Sequence, residues 1–166
     1  IPGDRKIPVG IGDDAAVLRL TPGRQLVVST DAIVEGVDFR IKKGVSHHFP
    51  PQTVGRIRPS ADREMVTDPF LSPEKIGRKA LAINLSDMAA MGARPVAFVI
   101  TIGKPKYISS VWLKRFYNGL LQLAKEYNVL CLGGDFSKAR EFFANVTILG
   151  ECSPGCAVTR SGAGAG

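Results

Sequence analysis

Asn84-Leu85-Ser86-Asp87-Met88-Ala89-Ala90-Met91-Gly92-Ala93-Arg94-Pro95 closes an amphipathic segment and sets a carboxylate on an otherwise small, apolar surface. Upstream and through it, Ile76, Ala80, Leu81, Leu85, Met88 and Ala89 recur at helical spacing; Pro73 suits a first turn and Gly92 a C-terminal stop. The pattern predicts a helix over 73–91 with one buried side. Asn84 and Asp87 are three residues apart and share a face, near Ser86 and away from the charged start at Glu74, Lys75, Arg78 and Lys79. Taken alone, Asp87 is a solvated or hydrogen-bonded helix residue. Acids elsewhere in the chain change that reading.

Working outward, 25–29 reads as a strand paired with 17–20 around the turn Thr21-Pro22-Gly23, with 9–12 leading in and 32–40 continuing as extended chain. Residues 41–72 lose periodicity and collect His47, His48, Pro50, Pro51, Pro59 and Pro69, which predicts a long loop, a lid or an insertion. After the helix come a strand at 96–103 and a second helix at about 109–127, with Trp112, Phe116, Leu120, Leu123, Ala124 and Tyr127 on one side. Short strands at 129–132 and 142–150 complete the order β-β-α-β-α-β-β. That order is an α+β sandwich with helices on one sheet face, leaving the other face to a second copy or a further domain. Residues 1–150 then form one domain, and 151–166 begin a linker.

Composition agrees with a folded domain: the chain has 166 residues, 45% hydrophobic and 22% charged. The best apolar run, 96–102, is strand length and far short of the roughly 20 residues that span a bilayer, so no membrane role is expected. Ile1 is not an initiator and no signal-peptide pattern follows, which reads as a trimmed piece of a soluble protein. Cys131, Cys152 and Cys156 make an odd set without a CxxC pair; this argues for a reducing, cytoplasmic setting and against zinc, and assigns Cys152 and Cys156 no chemistry. The net charge is +7, but the basic residues are dispersed and lack aromatic interleaving, so a nucleic-acid partner ranks last.

Four motifs place acids after glycines or small hydroxyl residues: Gly10-Ile11-Gly12-Asp13-Asp14, Ser29-Thr30-Asp31, Asn84-Leu85-Ser86-Asp87 and Gly133-Gly134-Asp135. Each has a plain explanation as a turn, strand end or cap. Together, at the predicted ends of regular elements, they offer hard carboxylate oxygens in backbone that a ligand can approach closely. Such donors, without His or Cys, suit Mg²⁺ completed by phosphates, and hence phosphoryl transfer by positioning and charge neutralisation, with no protein nucleophile. No GxxxxGK[ST] is present. The loose GxGxxA match at 10–15 fails because Pro22 interrupts the helix that should follow and two acids would repel a bare pyrophosphate. His47-His48 has no partner at ligand spacing, and the sequons at Asn84 and Asn145 fall inside predicted regular elements.

The stretches GIGDDAAVL (10–18), STDAIVEGVDF (29–39), IGRKALAINLSDMAAMGARP (76–95), WLKRFYNGL (112–120), LGGD (132–135) and TRSGA (159–163) resemble, in order, the N-terminal domain of thiamine-monophosphate kinases. The wider group is that of aminoimidazole ribonucleotide synthetase, selenide water dikinase and the hydrogenase maturation factor HypE. The resemblance implies phosphorylation of thiamine monophosphate to thiamine diphosphate by ATP, across a cluster of Mg²⁺ ions. It implies Asp14, Ser29, Thr30, Asp31, Asp87 and Asp135 as metal ligands, Gly134, Asp135 and Arg160 as nucleotide contacts, and a homodimer whose sheets pair into a barrel. The sequence departs from the family pattern in four places. Asp38 stands at the substrate-contacting position where a histidine is expected; Phe136 stands where a threonine usually follows Gly-Gly-Asp; the 41–72 spacer is longer; and the C-terminal domain is absent from this chain. These leave two alternatives: another ATP-using member of the group with a different acceptor, or a non-catalytic nucleotide-binding and dimerisation module.

Overall fold

The computed structural model describes residue 18 and residues 20–41 and 71–161. Among these the order is β1 (Gln25–Val34), α1 (Pro73–Ala90), β2 (Arg94–Lys104), α2 (Ser110–Glu126), β3 (Leu130–Lys138) and β4 (Phe143–Cys152). They build an α+β fold with one four-stranded mixed sheet in the order β1-β4-β2-β3. β4 is antiparallel to both β1 and β2, whereas β2 and β3 are parallel and joined through α2. Among the described residues, no helix is long and apolar enough to cross a membrane.

Both helices start on serine caps. The Ser72 hydroxyl accepts from the Lys75 N–H at 3.4 Å ahead of Pro73, and the Ser109 hydroxyl accepts from the Trp112 N–H at 3.1 Å. α1 stops at Gly92, whose φ of +63° lets the chain reverse into β2. The helices approach closely because each offers a glycine at the crossing. A Cβ on Gly77 would lie 1.9 Å from the Phe116 carbonyl oxygen, and one on Gly119 would lie 2.0 Å from the Glu74 carbonyl oxygen. Arg115–Glu74 and Arg78–Glu126 ion pairs, at 2.5 and 2.8 Å, flank the contact. The Arg115 guanidinium holds the Glu74 carboxyl below its usual range.

Strand alternation then sorts the sheet residues. Ile33, Phe98, Ile100, Ile102, Ala144, Val146 and Ile148 join Ile76, Leu81, Met88, Phe116 and Leu120 in one core between sheet and helices. Phe142 anchors its end, with ring centroids 4.8 Å from Trp112 and 5.3 Å from Phe116. The opposite face carries a smaller cluster of Val96, Ala97 and Leu132, with Leu18 packed against it. Toward β1 that face lies open: Leu26 and Val28 are 47% and 54% exposed.

The predicted helices and the order of the later strands agree with this architecture, and three expectations change. The arm at 17–20 is no strand at Leu18 or Leu20; Leu18 instead packs across the open face, while Val17 and Arg19 lie outside the described residues. The Thr21–Arg24 turn does form, with the Arg24 N–H donating to the Thr21 carbonyl at 3.2 Å. β3 does not end at its glycines but runs through Gly133-Gly134-Asp135, because β2 lies too close for a side chain: a Cβ on Gly134 would be 1.8 Å from the Ile100 carbonyl oxygen. Consequently Asp31, Asp87 and Asp135 lie within β1, α1 and β3, not at their ends. Residues 42–70, most of the predicted loop, lie outside the described residues.

Candidate metal and nucleotide site

Ser29 and Ile33 of β1 face α1, and period-two alternation puts Asp31 between them on the same side. α1 presents Asp87 to this row. The Ser29 hydroxyl donates to Asp87 Oδ2 at 2.5 Å, so the edge strand and the last turns of the helix meet through two oxygen-bearing side chains. Asp31 and Asp87 are both half-buried. Asn84, three residues before Asp87, turns into the core instead: it is 0% exposed, and its Nδ2 donates to the Ala80 carbonyl at 3.1 Å. Its Oδ1 has no partner among the described residues.

The remaining expected residues separate from this pair. The Thr30 side chain points to the other face of the sheet, where its hydroxyl lies 3.1 Å from Asn145 Oδ1 and 3.0 Å from the Thr147 hydroxyl. Asp135 opposes Thr101 on that same far face, is exposed, and accepts from the Ser137 hydroxyl at 3.1 Å. Gly134 lies against β2 beside it, and Arg160 is exposed on the segment after β4. Asp14 falls outside the described residues. The Asp38 carboxylate closes its own turn by accepting the Val34 N–H at 2.8 Å, and the Lys79 ammonium donates to the Asp38 carbonyl at 2.8 Å.

Asp87 and Ser29 in contact, with Asp31 on the same face of β1, offer only hard oxygen donors. That chemistry fits Mg²⁺ in type, with further ligands needed to complete six positions. Among the described residues, no group of three or more His, Cys, Asp or Glu side chains stands ready to hold a metal ion.

Two buried acids escaped the sequence reading. Glu35, 6% exposed, accepts from the Tyr107 hydroxyl and from the Phe142 N–H at 3.2 Å, tying the end of β1 to the loop before α2 and to the start of β4. Burial, and then the Glu35 hydrogen bond, push the Tyr107 phenol above its ordinary value. Glu151, 4% exposed, accepts from the Thr21 N–H at 2.8 Å, the Thr21 hydroxyl at 2.7 Å and Arg94 at 3.0 Å. Burial raises its carboxyl, but the Thr21 donors and Arg94 outweigh that and hold it below the usual range. The signal for both was an acid within an apolar strand run, in VEG and LGEC, where only a partnered carboxylate is tolerated.

The N-terminal-domain family model described as AIR synthase related protein matches residues 12–58 and 60–152. Thiamine-monophosphate kinase of Bacillus subtilis is 35% identical over 156 residues, which cover 93% of this chain and 40% of that protein. Among solved structures, thiamine-monophosphate kinase from Stenotrophomonas maltophilia superposes with a TM-score of 0.67 at 33% identity, covering 93% of this chain and 40% of that one. AaThiL complexed with AMPPCP and TMP gives 0.66 at 27% identity, with the same coverage of 93% and 40%. The chain thus spans about 40% of the length of these relatives. By the match over most of its length, the chain belongs to the AIR synthase related protein family, to which it contributes an N-terminal domain.

Proposed function

We propose that this chain is the N-terminal part of a kinase that transfers a phosphoryl group from ATP to thiamine monophosphate. The observation that carries the reading is the Ser29–Asp87 contact, which joins the face of β1 that also carries Asp31 to the acid of α1. Thiamine-monophosphate kinase relatives at 32–36% identity over most of the chain support it.

Asp31 and Asp87, with Asp14 as a further ligand, would hold Mg²⁺, and Ser29 orients the Asp87 carboxylate toward it. When bound, Mg²⁺ supplies charge neutralisation of the phosphate oxygens. Ser29, by donating to one Asp87 oxygen, leaves the other free to face a ligand. In this reading Gly134, Asp135 and Arg160 contact the nucleotide, whereas Thr30 and Asp135, expected as metal ligands, face the other side of the sheet from Asp87 and stand outside the set formed by Ser29, Asp31 and Asp87. No protein nucleophile takes part, so the chain's contribution is orientation and electrostatics. A second copy covering the open sheet face at Leu26 and Val28 makes the protein a homodimer, and its free thiols suit the cytoplasm.

The test is ADP release by a polypeptide carrying this chain with its C-terminal region, supplied with Mg²⁺, ATP and thiamine monophosphate. Formation of thiamine diphosphate supports the proposal, and an inert, well-folded polypeptide overturns it. A second reading, a related kinase with a different acceptor, is favoured by Asp38, whose carboxylate is committed to its own turn. ADP release across a panel of phosphorylated acceptors separates the two.

A further inference from the structure

Cys152 is the last residue of β4 and is 4% exposed, whereas Cys156 is exposed. Between them Ser153-Pro154-Gly155-Cys156 forms a tight turn, with Gly155 at φ +73° and the Cys156 N–H donating to the Ser153 carbonyl at 3.0 Å. Proline followed by a positive-φ glycine is the type II arrangement, in which proline presets its own φ and glycine takes the positive φ without steric cost. The turn is anchored on each side. Cys152 pairs with Gln25 in the sheet, and two residues past Cys156 the Val158 N–H donates to the Met91 carbonyl at 3.0 Å.

Both cysteines line one hollow of about 220 Å³, together with Arg24, Arg94, Glu151 and Ser153. Arg24 donates to the Ser153 hydroxyl and Arg94 to Glu151, so one guanidinium charge of the two is balanced by a carboxylate. The hollow retains positive charge beside an exposed thiol, which favours approach of a disulfide bearing carboxylates. Cys131 differs: burial pushes its thiol up, away from the reactive thiolate.

We propose that Cys152 and Cys156 are a thiol pair that a small anionic disulfide of the glutathione type converts into an intrachain bridge. The Cys156 thiolate attacks the small disulfide, forming a mixed disulfide and expelling one small thiolate. The Cys152 thiol passes its proton to the expelled small thiolate, and its sulfur attacks the Cys156 sulfur and expels the second small thiolate. Two protein thiols are oxidised, one small disulfide is reduced to two small thiols, and the atoms balance. The bridge fixes the chain's exit from β4 on the path to Arg160. It does not depend on the kinase reading, and its test reads no kinase activity.

The reduced 166-residue chain is incubated with glutathione disulfide, quenched with an alkylating agent, and its intact and peptide masses are determined. The expected result is a loss of two hydrogen masses, a cross-linked Cys152–Cys156 peptide and an alkylated Cys131. Cys152→Ser is expected to halt at a glutathione adduct on Cys156, and Cys156→Ser to give no bridge. Three outcomes overturn the proposal: full alkylation of both thiols after incubation, a bridge that uses Cys131, or a covalent dimer through Cys156. A bridge that forms in urea but not in the folded chain overturns it equally.

Discussion

The Ser29 hydroxyl donates to Asp87 Oδ2 at 2.5 Å, and through this bond the helix-facing side of an edge strand, which also carries Asp31, meets the acid near the end of α1. Asp87→Asn keeps an oxygen that can accept from Ser29 but removes the charge. Stability in urea is expected to change by no more than about 0.5 kcal/mol. Mg²⁺-dependent protection against thermal unfolding, read by melting with and without the ion, is expected to disappear.

Gly77 and Gly119 fix the helix crossing. In Gly77→Ala the new methyl meets a backbone carbonyl of α2, which cannot swing aside as a side chain would. Overpacking of this kind costs about 1–3 kcal/mol or more. A shift of the urea midpoint at constant slope measures it, and a midpoint equal to the parent's would show that the helices are not in this contact.

Phe142 joins Trp112, Phe116 and Phe39 at one end of the core and is 0% exposed. Phe142→Ala is expected to cost about 3–5 kcal/mol, because a ring-sized void surrounded by fixed rings closes poorly. Equilibrium unfolding monitored by Trp112 fluorescence reports both the loss and the changed ring environment.

Glu151 gives the chain an acid limb. Its carboxyl is held below the ordinary value of 4.5, so the folded state favours its charged form. That stabilisation is fully present above the unfolded value and is lost as pH falls through the lower folded value. Glu151→Gln is therefore expected to be less stable than the parent at neutral pH and to lose less stability on acidification from about pH 6 to pH 3. Urea midpoints at several pH values in that window check the sign; parallel curves for the two proteins contradict it.

How legible all this was depended on the length of each signal. α1 and α2 carry several turns of apolar periodicity, and α1 adds Pro73 at its start and Gly92 at its stop, so both could be read at nearly their true bounds. β3 could not. Its apolar run stops at Leu132, and the two glycines that follow read as a turn until β2 is known to lie against Gly134. The same limit applies to the site. Residue types indicated acids in small-residue contexts, but which face of the sheet each would occupy depends on register. Register puts Asp31 on the same side of β1 as Ser29, the residue that meets Asp87, while sending Thr30 and Asp135 to the other side. Glu35 and Glu151 were hidden for a related reason, since their partners Tyr107, Phe142, Thr21 and Arg94 come from distant parts of the chain.

Calorimetric titration of a non-hydrolysable ATP analogue into this chain, with and without Mg²⁺, tests most directly the claim that Ser29, Asp31 and Asp87 form a metal-nucleotide site. Binding is expected to require Mg²⁺ and to be lost in Asp87→Asn. Binding of equal strength without Mg²⁺, or undiminished in the folded Asp87→Asn chain, would contradict it.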